Sequence, residues 1–352
     1  MHLRPVQFVD TPIGRDGDVA RLAGGLLWFA AYEVIEGGEQ RTVGVRDFLA
    51  GMGAGDERAA LLHARITAPR LPLVLGARTL RLDQPQIAGI LNMTPDSFSD
   101  GGAFHDDPVA AADAGFDMAA KGAGLIDVGG ESTRPGAQAV WEGDEIRRVV
   151  PVIERLAASG TPVSIDTRKA AVMEAALAAG AHVINDVSAL LWDDRALAVA
   201  AHAKAPVILM HSPDPANGPH GQPGYANPLT GVFDWLEARV EAVVAAGVAR
   251  ERIMVDPGIG FGKGLAENLA LLNGLAMLHG LGCPIMLGAS RKRIIGALSN
   301  EAGPGERLGG SVVLAIKGAQ MGAQLLRVHD VAETVQALRV WRGLADQALV
   351  GR

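Results

Sequence analysis

From residue 84 onward one unit recurs. A short, largely apolar run of β-branched or aliphatic residues ends in a polar residue, passes into a Gly-, Pro- or Ser-rich loop, and continues as an Ala-rich segment with helical spacing. The runs are 87–93, 125–128, 163–165, 183–184, 207–210, 253–255, 285–287 and 325–328. A strand that is apolar on both faces belongs in a parallel sheet covered on both sides. Eight such strands alternating with helices are the count of a closed α/β structure, the (β/α)8 TIM barrel. An open doubly wound sheet is the alternative, and eight near-equal units favour closure.

The helical segments carry ordinary signals. Residues 106–121 open with Asp-Asp-Pro, a cap followed by proline in the first turn. Residues 142–158 place Ile146, Val149, Val150, Ile153 and Leu156 on one face, and 331–344 repeat the pattern, so both faces are expected in the core. Residues 1–73 lack the rhythm and read as a small N-terminal extension of unknown role, with the barrel over 74–352. Within the extension a strand pair is expected around 26–35 and 42–45. A short helix is expected at 56–65 with Asp56 as its cap. Residues 74–83 read as a hairpin sealing the bottom of the barrel.

Composition excludes whole classes. Hydrophobic residues are 49% and charged residues 20%, enough for a large core. A net charge of −7 argues against a nucleic-acid surface, which needs a basic stripe. The single Cys283 permits no intrachain disulfide and no cysteine-based zinc cage. The first 18 residues hold no apolar h-region, and the stretch 22–32 is short of a membrane span. A soluble, cytoplasmic protein with no membrane partner is expected.

In a barrel of this kind the polar residues at the strand ends converge on one mouth. They are Asn92, Asp127, Asp166, Asn185, His211, Asp256, Ser290 and His329. A buried carboxylate without a partner is costly, so Asp166 and Asp256 call for a ligand rich in N–H donors, such as a pterin or guanine-like ring. Lys292 offsets the negative charge and can donate to a ring carbonyl. Residues 290–293 (SRKR) and 327–329 (RVH) bring cations after the last two strands, where barrels often bind phosphate. The run 258–264 (GIGFGKG) fits neither the P-loop nor G-x-G-x-x-G and reads as a tight loop. His211 and His220 lack a third ligand at zinc spacing. Their loop, 211–228, is long enough to act as a substrate lid.

These residues resemble a known family. Residues 89–102 (GILNMTPDSFSDGG) and 127–136 (DVGGESTRPG) look like the two signatures of dihydropteroate synthase. The stretches 164–169 (SIDTRK), 184–186 (IND), 210–211 (MH), 256–263 (DPGIGFGK), 290–292 (SRK) and 327–330 (RVHD) match in the same order, and the similarity spans residues 74–345. The resemblance implies condensation of 6-hydroxymethyl-7,8-dihydropterin diphosphate with p-aminobenzoate to 7,8-dihydropteroate and pyrophosphate. It implies an SN1-like loss of pyrophosphate and competition by sulfonamides.

The resemblance also implies roles. Asp166, Asn185, Met210, Asp256 and Lys292 would hold the pterin. Asn92, Thr133, Arg327 and His329 would hold the diphosphate, with Asn92 a ligand to Mg²⁺. Thr94, Pro95, Asp96, Ser97 and Phe98 in loop one, and Arg134 and Pro135 in loop two, would complete the catalytic site. Thr133, Pro135, Phe261 and Arg293 would line the p-aminobenzoate pocket, with Phe98 as a further apolar wall. Arg293 departs from the family, in which many members carry Ser; the p-aminobenzoate carboxylate would then meet its backbone N–H or guanidinium. A homodimer through the last barrel helices is implied. Two other readings share the pterin-binding barrel: a corrinoid-linked methyltetrahydrofolate methyltransferase and a catalytically silent pterin-binding protein. The cations at 292, 327 and 329 speak against the first, and the intact motifs against the second.

Overall fold

The computed structural model describes residues 1–53, 55–94, 107–133, 136–215, 220–221 and 224–350. Strands β1 (His2–Val9), β2 (Ala20–Arg21), β3 (Trp28–Glu36) and β4 (Glu39–Gly44) come first, then helices α1 (Val45–Gly51) and α2 (Glu57–Thr67). The hairpin β5 (Leu73–Leu75) and β6 (Arg78–Leu80) leads into the alternating part. That part runs β7 (Gln86–Asn92), α3 (Pro108–Ala120), β8 (Leu125–Gly129), α4 (Glu142–Ala158), β9 (Val163–Asp166) and α5 (Ala170–Ala178). It continues β10 (Val183–Asp186), α6 (Ala196–Ala203), β11 (Val207–Met210), α7 (Pro228–Ala245), β12 (Ile253–Asp256) and α8 (Leu265–Gly274). A 3-10 helix, Leu275–Leu281, follows, then β13 (Met286–Leu287), α9 (Arg293–Leu298), α10 (Leu308–Gln320), β14 (Leu325–Val328) and α11 (Val331–Val350).

Every one of the eight apolar runs is a strand. They pair in parallel in the order β12-β11-β10-β9-β8-β7-β14-β13, and a bridge from Val255 to Ile285 joins the two ends into a ring. Side chains alternate along a strand, so every second residue faces the barrel interior. The lowest inward layer is apolar. Ala88, Leu125, Val183, Ile208, Met254, Met286 and Leu325 pack with Leu73, Leu75 and Leu80 of the hairpin. The hairpin therefore plugs the N-terminal end, as its sequence suggests. Two residues further along, the same strands carry Ile90, Asp127, Asn185, Met210, Asp256 and Arg327, so the interior turns polar toward the C-terminal mouth.

The extension is an antiparallel sheet centred on β3. β1 pairs along one edge, and β4 and β2 share the other. The strand pair is present, and α2 begins at Glu57 with the Asp56 side chain accepting from Ala59 N–H. Strand β1 and helix α1 are not evident in the sequence. Pro5 and the left-handed Gln7 (φ 55°) disguise β1, and proline is tolerated there because β1 is an edge strand. Phe29, Tyr32, Val34, Leu62 and Ile66 join the same core as the barrel helices. Charged contacts fix the attachment to α7. His2 Nε2 lies 2.6 Å from Asp234, Arg58 forms a two-pronged pair with Glu237 (2.7 and 2.9 Å), and Arg65 reaches Glu237 and Glu241 (3.2 and 3.0 Å). Buried Arg70 donates to the carbonyl of His279 in the 3-10 helix at 3.0 Å.

Both expected helix faces pack on the core, each with a difference in detail. In α4 the buried side is Glu145, Val149, Val152, Ile153 and Leu156, and the charged Glu145 belongs to it because Lys169 meets it there. In α11 Val331 and Thr334 are buried and Val335, Leu338 and Trp341 pack against the core, whereas Val340, Leu344 and Val350 are exposed on the rest of the helix. No helix among the described residues is long and apolar enough to cross a membrane.

The shared core predicts that extension and barrel unfold together. Phe29→Ala should cost about 3–5 kcal/mol and lower the midpoint of a single thermal transition. Two separated transitions in the parent chain would show instead that the extension is an independent unit.

Candidate active site

Asp127 organises the mouth of the barrel from within. It lies two residues before the end of β8 and is 1% exposed. Its carboxylate accepts from Ser164 Oγ at 2.5 Å, from Asn185 Nδ2 at 3.1 Å and from Arg327 Nε at 2.5 Å. Arg327 Nη2 continues to Asp166 Oδ2 at 2.7 Å. One guanidinium thus bridges carboxylates from β8 and β9. Such two-pronged use of the fork suits arginine and would be lost with lysine. Arg327 is therefore not a free cation waiting at the phosphate end, as its motif alone suggests; a ligand must share it with Asp127 and Asp166.

The other interior groups carry matching charge. Asp256 accepts from Gly258 N–H at 2.7 Å and is 3% exposed. Lys292 donates to the Ile259 carbonyl and stands 4.5 Å from the centre of the Phe261 ring. Burial raises Asp256 above the usual carboxylate range against the pull of Lys292, and pushes Asp166 up to about 7 against the pull of Arg327. Burial also pushes Lys292 down to about 8, with Asp256 opposing. Burial disfavours the charge on Arg327, but Asp127 and Asp166 outweigh it and its pKa stands above the ordinary value. Asn185 gives its amide hydrogens to Asp127, and its Oδ1 is buried with no hydrogen-bond partner. An orphan acceptor beside two ionisable carboxyls is a site for a ligand N–H.

The loops add the upper wall. Ser290 Oγ lies 3.0 Å from His329 Nδ1 and accepts the His329 backbone N–H at 3.2 Å. Arg291, at φ 55°, is locked to Asp330 at 2.5 Å, so the first cation of the SRK motif holds the loop rather than a ligand. Arg293 is exposed at the first position of α9. Met210 is buried at the end of β11, and Asn92 is half-buried at the end of β7. Thr94 is buried, and Thr133 accepts at its carbonyl from His220 Nε2 at 2.8 Å. Pro95, Asp96, Ser97, Phe98, Arg134 and Pro135 lie outside the described residues. His211 is buried against Tyr225 and Trp235 and burial pushes it down to about 3, so it is a neutral structural group rather than an acid, base or anion binder.

Three further groups escaped the strand-end reading. Ser164 faces inward one step below Asp166. Lys263 donates to the carbonyls of Gly258 (2.9 Å) and Phe261 (3.0 Å), and burial pushes it down to about 7. Glu131, just before loop two, accepts from Lys169 at 2.9 Å, Arg168 at 3.0 Å and Val140 N–H at 3.0 Å, while Lys169 also pairs with buried Glu145 at 2.5 Å. The period-two pattern could have found Ser164. Nothing local signals the Glu131 cluster, whose members come from two successive βα units. No group of three or more His, Cys, Asp or Glu among the described residues could hold a metal ion.

A parallel barrel that presents carboxyls and an orphan amide oxygen to N–H donors, with arginine, lysine and histidine beside them, is a pterin-binding enzyme, and the profile of the family described as pterin binding enzyme matches residues 88–329. The dihydropteroate synthase of Neisseria meningitidis serogroup B is 42% identical over 273 residues, 76% of this chain and 96% of that protein. A Xanthomonas albilineans dihydropteroate synthase solved with 4-aminobenzoic acid is 49% identical, with a TM-score of 0.72 over 78% of this chain and 97% of that one. A Yersinia pestis dihydropteroate synthase in a sulfonamide drug complex is 44% identical, with a TM-score of 0.73 over 78% of this chain and 99% of that one. The chain belongs to the dihydropteroate synthase family of pterin-binding enzymes, and is accordingly a transferase.

The shared guanidinium generates a stability prediction. Asp127→Ala leaves Ser164, Asn185 and Arg327 without their common acceptor and should cost about 3–5 kcal/mol in denaturant unfolding. Asp127→Asn, which keeps one oxygen, should cost less. Equal stability of all three chains would show that the pair does not hold the barrel interior together.

Proposed function

We propose that this chain joins 6-hydroxymethyl-7,8-dihydropterin diphosphate to p-aminobenzoate, giving 7,8-dihydropteroate and pyrophosphate, with sulfonamides competing for the arylamine pocket. The observation that carries the division of labour is the buried, unpartnered Asn185 Oδ1 in the same polar layer as Asp256. Asn185 and Asp256 accept from the aminopyrimidine edge and Asp166 from the N–H of the neighbouring ring. Met210 packs against the ring, and Lys292 donates to its carbonyl. A site built around such hydrogen bonds rejects rings that lack them by up to about 10⁴–10⁵.

His329, Thr133 and Arg327 bind the diphosphate, Arg327 through the face its two carboxylates leave open. The C–O bond breaks first and its electron pair leaves with pyrophosphate, so donors aimed at the leaving oxygens lower the barrier. The methylene cation is spread over the dihydropterin ring. The amine of p-aminobenzoate, neutral at pH 7, attacks with its lone pair and then loses its proton to solvent. Thr133, Pro135, Phe261 and Arg293 line the arylamine pocket, and loop one (Thr94, Pro95, Asp96, Ser97, Phe98) with Arg134 keeps water from the cation.

The single neutral oxygen of Asn92 suits a cation that arrives on the substrate's phosphates rather than one held by the protein alone. Magnesium binds in this way, through few protein ligands and several phosphate oxygens. When bound it would neutralise charge on the departing pyrophosphate. The corrinoid methyltransferase reading has no use for an anion-binding end and is not favoured.

The exposed Val313 of α10 and Val340 and Leu344 of α11 support a homodimer through the last barrel helices. Sedimentation velocity should give a dimer that Val340→Glu dissociates, and a monomeric parent chain would remove the proposal. A cytoplasmic location is part of this reading, and it suits a chain whose one cysteine, Cys283, is buried.

The function is tested by following pyrophosphate release from dihydropterin diphosphate and Mg²⁺ with and without p-aminobenzoate. Amine-dependent release with stoichiometric dihydropteroate is expected, and pterin binding without release would overturn the reading. The same assay has a pH signature. Lys292, lowered to about 8, loses its proton as pH rises through that value, so the complex that needs the cation weakens above it, by about tenfold per pH unit at the limit. Lys292→Gln should act poorly at pH 7 and lack that alkaline limb; retention of the limb in the variant would assign it to another group.

A further inference from the structure

The loop between β11 and α7 is built onto the active-site wall from two sides. At its start the His211 carbonyl lies where a Cβ on Gly258 would stand, 2.0 Å away, and Gly258 has φ 68°. Further along, the Gly221 carbonyl lies equally close to a Cβ on Gly262, whose φ is 58°, with Pro213 also in contact. Only glycine admits both the close approach and the left-handed backbone. This explains the run 258–264 that the phosphate-binding patterns did not: its glycines accept another loop, not a phosphate. Lys263, donating to Gly258, Phe261 and, at 3.4 Å, His211, ties the two loops together from beneath.

His220 reaches from this docked loop toward the third. Its ring stacks on Phe261 with centroids 5.3 Å apart and planes 14° from parallel, while Lys292 Nζ stands 4.5 Å from the centre of the same ring. Its Nε2 lies 2.8 Å from the Thr133 carbonyl, 87 residues away in sequence. A carbonyl only accepts, so Nε2 carries the proton and donates. One imidazole therefore joins loop two, which carries the arylamine-pocket residues, to Phe261 and so to the lysine on the pterin side.

We propose that His220 is a positioning residue for p-aminobenzoate, setting loop two through its hydrogen bond to Thr133. The residue touches no reacting atom; it fixes Thr133 relative to the Phe261 ring. The inference rests on the synthase reading above. The hydrogen bond and the stack are separable by substitution. His220→Phe keeps the aromatic contact and removes the donor. His220→Gln keeps a donor of similar reach and removes the ring.

The test compares KM for p-aminobenzoate, kcat, and the calorimetric Kd for dihydropterin diphosphate in the parent and both variants. Loss of one hydrogen bond should raise the p-aminobenzoate KM of His220→Phe about three- to tenfold. The pterin diphosphate Kd should rise by less than this, because Thr133 is only one of the groups on the diphosphate, and His220→Gln should recover most of both losses. A parental KM in His220→Phe, a loss of pterin diphosphate binding larger than the rise in KM, or a His220→Gln variant as impaired as His220→Phe would each overturn the proposal. If the parent chain releases no pyrophosphate, the synthase reading itself fails. The same comparison then runs on p-aminobenzoate affinity by calorimetry with dihydropterin diphosphate bound, so the two failures stay distinct.

Discussion

The ion pair between Asp127 and Arg327 sits where a barrel of this size would otherwise be filled with aliphatic side chains. Strands β8 and β14 both flank β7, so the pair ties together strands from the beginning and the end of the alternating chain. Burying it costs solvation that the Coulomb attraction alone does not repay; Ser164 and Asn185 supply the missing hydrogen bonds. The arrangement has consequences in both directions. Downward, the apolar layer sealed by the hairpin keeps water from the pair. Upward, Asn185 is turned so that its carbonyl oxygen is left without a partner, and Asp166 is held by the far end of the same guanidinium. The acceptors that open onto the mouth of the barrel thus follow from how a buried carboxylate is satisfied.

The cations divide into those that hold the protein and those left for the ligand. Arg291 closes on Asp330, Lys169 on Glu131 and Glu145, and Lys263 on backbone carbonyls. Arg327 and Lys292 sit among buried carboxylates and carbonyls that a substrate must share. In a chain of net charge −7 the cations at the mouth are thus local donors fixed by packing, not part of a basic surface. The same economy governs the loops. The glycine loop, the β11–α7 loop and loop two touch one another through backbone oxygens, so their relative positions depend on tight packing rather than on flexible surface contacts.

The extension contributes no group to this site. Its contacts run to α7 and the 3-10 helix, where Asp234, Glu237 and Glu241 present one acidic face to His2, Arg58 and Arg65. The family profile begins at residue 88, which leaves the sheet of β1–β4 outside the common core. Its strand β3 and helix α2 follow from alternation and a capping aspartate. Its first strand does not, because an edge strand tolerates the proline that would normally argue against one. In α11 the apolar spacing is plain in the sequence, and Val331, Val335, Leu338 and Trp341 do pack on the core, while Val340 and Leu344 face outward. Periodicity reports that a face is apolar and is silent about what covers it.

Sequence alone determined the eightfold alternation, the mouth at the strand ends and the motifs of the family, because these are encoded by period-two and period-3.6 spacing and by residues adjacent in the chain. It also selected Asp166, Asn185, Asp256, Lys292 and Arg327 as inhabitants of one site. Tertiary structure decided which of them pair with each other. That Arg327 is shared by Asp127 and Asp166, that Arg291 is occupied by Asp330, that the glycines at 258 and 262 make room for another loop, and that His220 meets Thr133 all depend on contacts between distant βα units. Such contacts are fixed by the closure of the barrel, which brings together residues separated by up to 200 positions, and by the requirement that each buried polar atom find a partner there.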